Sequence, residues 1–140
     1  MTIPPADEWD LEGDFAYLHY ASNETIGGVQ FREPPECALP LVSDMSSDIL
    51  CRKLDWSRFD LVYAGAQKNL GPAGVTLVII RQDMVERVPQ DLPTMLKYTT
   101  FVENKSMFNT PPCVPVFAAL QTLRWLKNLG GINEIHKINV

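Results

Sequence analysis

The stretch Tyr63-Ala64-Gly65-Ala66-Gln67-Lys68-Asn69-Leu70-Gly71-Pro72-Ala73-Gly74 sets a lysine among small residues at the end of an apolar run. An amine that is to form an imine with a carbonyl compound must be neutral part of the time, which calls for partial desolvation. Small neighbours let a planar molecule approach the backbone. Gly65, Gly71 and Gly74 meet that need, as they would meet the needs of a plain hairpin. Asp44 closes a second apolar run, at the kind of strand end where ligands gather in open α/β sheets. Taken by itself, it reads first as a helix N-cap before Ser46 and Ser47. Asn109 and Thr110 precede Pro111-Pro112 and a long periodic segment, so an amide, a hydroxyl and a helix N-terminus converge where an anion would be welcome. A plain N-cap with a proline start is compatible with that.

These residues need elements to position them. Phe15 to Tyr20, Leu39 to Ser43, Leu61 to Ala64 and Val75 to Arg81 are aliphatic and aromatic runs bounded by turn formers, and they read as strands. The last is almost continuously apolar, which suits a strand covered on both faces. Lys68 falls at the end of one strand with the next following directly. Val114 to Leu129 repeats Val116, Leu120, Leu123 and Leu126 at helical spacing and ends at Gly130-Gly131, a left-handed cap. A further helix opens near Ile132, and helical turns are expected after Ser46, capped by Ser47 and Asp48, and over Asp83 to Val88. The pattern is α/β.

The remaining composition excludes several classes. Of the 140 residues, 46% are hydrophobic, enough to bury one core, and the net charge of −5 comes with scattered bases, so nucleic acid is not an expected partner. No apolar run approaches membrane length, and the N-terminus has no signal-peptide pattern. Cys37, Cys51 and Cys113 are widely spaced without histidines nearby, which argues against a metal site and for reduced, partly buried thiols. His19 and His136 lack partners in the sequence, and Trp56 and Trp125 read as core or interface aromatics. No Gly-x-Gly-x-x-Gly leads from a strand into a helix, and no Gly-Lys-Ser/Thr is present.

The string AGAQKNLGPAG is similar to the cofactor-lysine segment of phosphoserine aminotransferases, members of the class V aminotransferases with the type I pyridoxal-phosphate fold. LHYASNETIGGVQF at 18 to 31, LVSDMSSDIL at 41 to 50 and SMFNTPPCVPVFAALQTLRWL at 106 to 126 resemble the same family, in its order and near its spacing. The likeness extends over nearly the whole chain, and the NETIGG and FNTPP strings favour the phosphoserine branch over other class V enzymes.

The resemblance implies a type I transferase large domain with a mostly parallel mixed sheet, residues 1–140 being a central part of it. It implies pyridoxal 5'-phosphate as cofactor, held at Lys68 as a Schiff base, with Lys68 then acting as general base. Asp44 would pair with the pyridine nitrogen, Thr25 would reach the ring hydroxyl, and Gln67 would bind the cofactor phosphate. Asn109 and Thr110 would bind that phosphate from the other subunit of a homodimer with shared sites. The implied reaction exchanges phosphoserine and 2-oxoglutarate for 3-phosphohydroxypyruvate and glutamate, in serine biosynthesis. The family's phosphate-binding glycine loop and ring-stacking aromatic belong upstream of this segment, and its small domain with the carboxylate-binding arginine belongs downstream. The 140 residues alone are therefore expected to be inactive. A non-catalytic fragment, or another class V aminotransferase, is the competing reading. The expected compartment is the cytoplasm, with any organelle address belonging to sequence upstream of Met1.

Overall fold

Leu61-Val62-Tyr63-Ala64-Gly65 is rich in residues that favour extended backbone, and in the computed structural model, which describes residues 2–139, it forms a strand buried along most of its length. In chain order the elements are β1 (Leu18–Ala21), β2 (Asn23–Glu24), β3 (Val29–Gln30), β4 (Leu41–Asp44), β5 (Leu61–Gly65), α1 (Ala66–Asn69), β6 (Thr76–Ile80), α2 (Gln82–Glu86), α3 (Tyr98–Glu103), α4 (Cys113–Leu129) and α5 (Ile132–Asn139). Single 3-10 turns lie at Ala6–Glu8, Trp56–Arg58 and Thr94–Leu96.

The main sheet has the order β1-β4-β5-β6. β1 pairs parallel with β4, β4 parallel with β5, and β5 antiparallel with β6, which confirms the expected mixed, mostly parallel α/β sheet. β2 and β3 form a separate antiparallel hairpin, with Asn23 opposite Gln30 and Glu24 opposite Val29. Alternation puts Leu41 and Ser43 on one face of β4, fully buried, and turns Val42 and Asp44 to the other. The core gathers Tyr20, Leu41, Met45, Ile49, Phe59 and Val62. Burial of each such side chain contributes about 1.5–3 kcal/mol.

Asp60 braces the end of the sheet opposite Asp44. Its carboxylate accepts Leu41 N at 2.7 Å and takes Arg81 Nη1 at 2.7 Å, joining the start of β4 to the end of β6. α4 starts immediately after Pro111-Pro112, and Pro115 lies in its first turn, where a missing N–H costs no helical bond. It ends at Gly130, with φ of 110°, whose N–H reaches back to the last turn while Gly131 N donates to Leu126 O at 2.9 Å.

Several expectations are corrected. The first strand starts at Leu18, and Phe15 and Tyr17 are exposed. β6 is an edge strand whose Leu77 packs against the core while Val78 and Ile79 are exposed, so the expected cover on both faces is absent. Residues 46–50 form turns and no helix, and Ser47 and Asp48 cap nothing there. Their side chains turn to other segments. The helix expected over Asp83 to Val88 is Gln82–Glu86. Lys68 lies in the one-turn helix α1 and not in a direct strand-to-strand turn. Cys37 and Cys51 are half-buried as expected, but Cys113 is exposed at the start of α4. Trp56 packs against the core, whereas Trp125 is exposed on α4 together with Val116, Leu120 and Leu123.

Candidate active site

Three segments far apart in sequence meet at the C-terminal ends of the parallel strands β4 and β5. The first is α1, which follows β5 and carries Lys68. The second is the β2–β3 hairpin, whose loop carries Thr25. Lys68 Nζ donates to Thr25 Oγ1 at 2.8 Å. The third is the end of β4, where Asp44 and the turn after it lie.

Asp44 is half-buried, and its Oδ1 accepts both Ser46 N at 2.8 Å and Ser46 Oγ at 2.6 Å. Ser46 Oγ in turn accepts Gly65 N at 2.9 Å, so the carboxylate is tied through one hydroxyl to the residue that caps the lysine's helix. The same loop reaches α1 again where Asn69 Nδ2 donates to Ile49 O. Asp44 thus makes a local turn with Ser46 but caps no helix, since residues 46–50 are turns, and it lies at the strand end that its ligand reading required.

Gln67 is exposed beside the lysine and folds back over Gly65, where a Cβ would fall 2.6 Å from Gln67 Oε1. The absence of a side chain at Gly65 is what leaves the amide that space. Gly71, just past α1, lies against Ala119, so α4 packs on the loop that follows Lys68.

Lys68 itself is exposed, so the partial desolvation expected for an imine-forming amine is not supplied within this segment. Asn109 and Thr110 are also exposed, and Asn109 Nδ2 reaches only the neighbouring Thr110 O, at 3.4 Å. The structure gathers Lys68, Thr25, Asp44 and Gln67, and leaves this last pair outside the cluster.

Tyr63 lies opposite Asp44 across the β4–β5 pair. Desolvation, and after it the charge and hydrogen bonding of Asp44, push its phenol above the usual range. Its hydroxyl lies 3.0 Å from His19 Nε2, and the two rings stack with centroids 5.9 Å apart. His19 therefore has a partner that is invisible in the sequence, since 44 residues separate the two.

Glu24 accepts the N–H groups of Ile26 and Gly27 and so shapes the loop that presents Thr25. Those bonds hold its carboxyl below the ordinary range. Beneath the loop, Asn23 Nδ2 donates to Ser47 Oγ at 2.9 Å, and Ser47 Oγ donates to Asn23 O at 3.0 Å. Sequence reasoning missed Ser46 and underrated Ser47 and Asp48. Their only signal was the density of short polar side chains just after Asp44. The turn ends on Leu50 at φ 63°, a conformation costing of order 1–3 kcal/mol outside glycine.

Among the described residues no group of acids, histidines and cysteines is placed to hold a metal, and no helix is long and apolar enough to cross a membrane.

The aminotransferase class-V family model matches residues 4–140. A phosphoserine aminotransferase of Desulfotalea psychrophila is 53% identical over 137 residues, covering 98% of this chain and 38% of that protein. Among solved structures, a phosphoserine aminotransferase from Bacillus circulans subsp. alkalophilus superposes with a TM-score of 0.92 at 50% identity, over 99% of this chain and 39% of its own. The PLP-bound phosphoserine aminotransferase from Trichomonas vaginalis gives a TM-score of 0.93 at 39% identity, over 99% of this chain and 41% of its own. The chain spans about two-fifths of the length of the relatives it matches.

Proposed function

The chain belongs to the class V aminotransferase family, and from that premise we propose that it is the part of a phosphoserine aminotransferase that holds pyridoxal 5'-phosphate. The observation that carries the reading is the meeting of Lys68 Nζ and Thr25 Oγ1 at 2.8 Å, beside a strand-end carboxylate tied to the same helix. An amine to take the aldehyde, a hydroxyl to meet the ring hydroxyl and a carboxylate to accept from a protonated ring nitrogen are the partners that such a pyridine aldehyde requires. The residues fit the group.

In this proposal Lys68 holds the cofactor through its amine, Thr25 meets the ring hydroxyl, Asp44 meets the ring nitrogen, and Gln67 contributes to the phosphate site. When bound, the cofactor supplies an electron sink for the charge left on the substrate α-carbon as its proton departs. Lys68 Nζ would accept that proton and hand it on, the work of a positioned general base. Asp44 would keep a proton on the ring nitrogen, a task its negative charge favours and a neutral amide would not.

The proposed substrates are phosphoserine with 2-oxoglutarate and, in reverse, 3-phosphohydroxypyruvate with glutamate. Asn109 and Thr110, exposed and outside the cluster, are proposed to complete the phosphate site of a second subunit in a homodimer. The exposed apolar stripe of α4 that follows them supports that reading. The free cysteines accord with a reducing compartment, and the cytoplasm is the proposed one.

Borohydride reduction of the full-length protein with pyridoxal phosphate, followed by peptide mapping, tests the assignment. Fixation at Lys68 is expected. Fixation at Lys53 or Lys97 with Lys68 unmodified would overturn it.

A further inference from the structure

Asp48 is almost fully buried and lies outside the residues assigned above to the cofactor. Its Oδ1 accepts Ser22 Oγ, and its Oδ2 accepts Gln30 Nε2 at 3.0 Å. Arg52 Nη1 pairs with Oδ2 at 2.8 Å, while Arg52 Nη2 donates to Phe31 O at 2.7 Å. Ser22 immediately precedes β2, Gln30 ends β3, and Phe31 follows it, with Phe31 N donating to Ser22 O at 2.9 Å. The Asp48–Arg52 pair therefore grips both strands at the base of the hairpin whose loop carries Thr25.

We propose that Asp48, with Arg52, is a positioning residue that fixes the β2–β3 hairpin so that Thr25 is held against Lys68. The proposal rests on the assignment of Lys68 and Thr25 to the cofactor site. A two-residue strand pair has little stability of its own in water, so its geometry must come from what anchors it. A buried carboxylate that receives three donors, one of them a guanidinium, is a rigid anchor. Ser22 Oγ can also reach Asp44 O, at 3.1 Å, so the same hydroxyl touches the end of β4. The hairpin and the strand bearing Asp44 are thereby indexed to one another.

The chemistry also explains why both members of the pair are needed. Asp48 accepts from side chains at the start of β2 and the end of β3, and Arg52 donates to the backbone just after β3. Loss of either leaves the other's charge buried without a counterpart.

The test uses the full-length protein as Asp48→Asn and as Gln30→Ala, each alone and combined with Thr25→Val. Gln30 is exposed, so Gln30→Ala probes the grip even where Asp48→Asn does not fold. The first readout is hydrogen exchange at the Ile26 and Gly27 amides in cofactor-free protein, expected to quicken about tenfold or more in either variant. The second is the rate at which borohydride fixes pyridoxal phosphate at Lys68. That rate is expected to fall about tenfold when Thr25 is present and to change no further when Thr25 is already valine, the non-additivity expected of residues acting through one another. Unchanged exchange would overturn the proposal, as would an equal fall in both backgrounds. If the unsubstituted protein is not fixed at Lys68, the cofactor assignment fails instead, and the exchange readout still decides whether Asp48 holds the hairpin.

Discussion

Lys68 Nζ and Thr25 Oγ1 meet at 2.8 Å although 43 residues of chain separate them. That distance is set by the hairpin on one side and the one-turn helix on the other.

Removing the hydroxyl alone should therefore be felt at the lysine. Thr25→Val in the full-length protein is expected to weaken retention of pyridoxal phosphate roughly fivefold, in line with about 1 kcal/mol for a net hydrogen bond. Thr25→Ser, which keeps the hydroxyl, should stay within about threefold. Dialysis followed by absorbance of the remaining cofactor measures both, and equal behaviour of the two variants would remove the hydroxyl from the site.

Asp44→Asn is expected to slow turnover by roughly three powers of ten, about 4 kcal/mol of barrier, while cofactor binding falls much less. The amide still fills the turn with Ser46 but cannot favour a protonated ring nitrogen. Single-turnover kinetics beside a cofactor titration separates the two effects. Near-normal turnover would refute the role.

The lysine, the four main-sheet strands and the long helix α4 were legible because each has a local signature: small residues around Lys68, apolar runs ending near Asp44 and Gly65, and a glycine pair after Leu129. What joins them was not. Ser46 reaches Gly65, Asp48 reaches Ser22 and Gln30, and Tyr63 reaches His19, all at sequence separations that no periodicity encodes. The hairpin of β2 and β3 escaped because each strand is only two residues long. The lysine's helix escaped because Ala66–Asn69 is a single turn between two strands. β6 was misjudged for another reason. Its apolar run reports what the strand can bury, and here Leu77 packs against the core while Val78 and Ile79 stay exposed.

Glu24 gives the hairpin loop a dependence on acidity. Its folded carboxyl is held down chiefly by the amides of Gly27 and Ile26, with the charge of Lys68 a smaller cause. The sign follows from linkage: the stabilisation is full above the ordinary value of 4.5 and is lost as the pH falls through the lower folded value. Protection of the Ile26 and Gly27 amides, normalised to an unstructured peptide, should therefore decline in acid below that point. Glu24→Gln should abolish the decline. A decline that persists in that variant would assign the effect to another group.

The isolated 140 residues are expected to transaminate phosphoserine no faster than free pyridoxal phosphate does. Lys68 is exposed here, and positioning of reacting groups can account for roughly 7–11 kcal/mol of barrier lowering in favourable cases. A coupled assay for glutamate run beside the free cofactor measures it. Turnover well above that control would show that this segment assembles a working site by itself.

The pairing pattern of the sheet also prescribes an order of events during folding. β5 and β6 are antiparallel neighbours joined through α1 and a short loop, whereas β1–β4 and β4–β5 are parallel pairs that must each close a longer excursion of chain. Within the main sheet, loop closure makes this antiparallel pair the least costly to form, so β5 and β6 come together first and the earlier strands add onto them. Pulse-labelled exchange during refolding should accordingly protect residues 61–65 and 76–80 before 18–21.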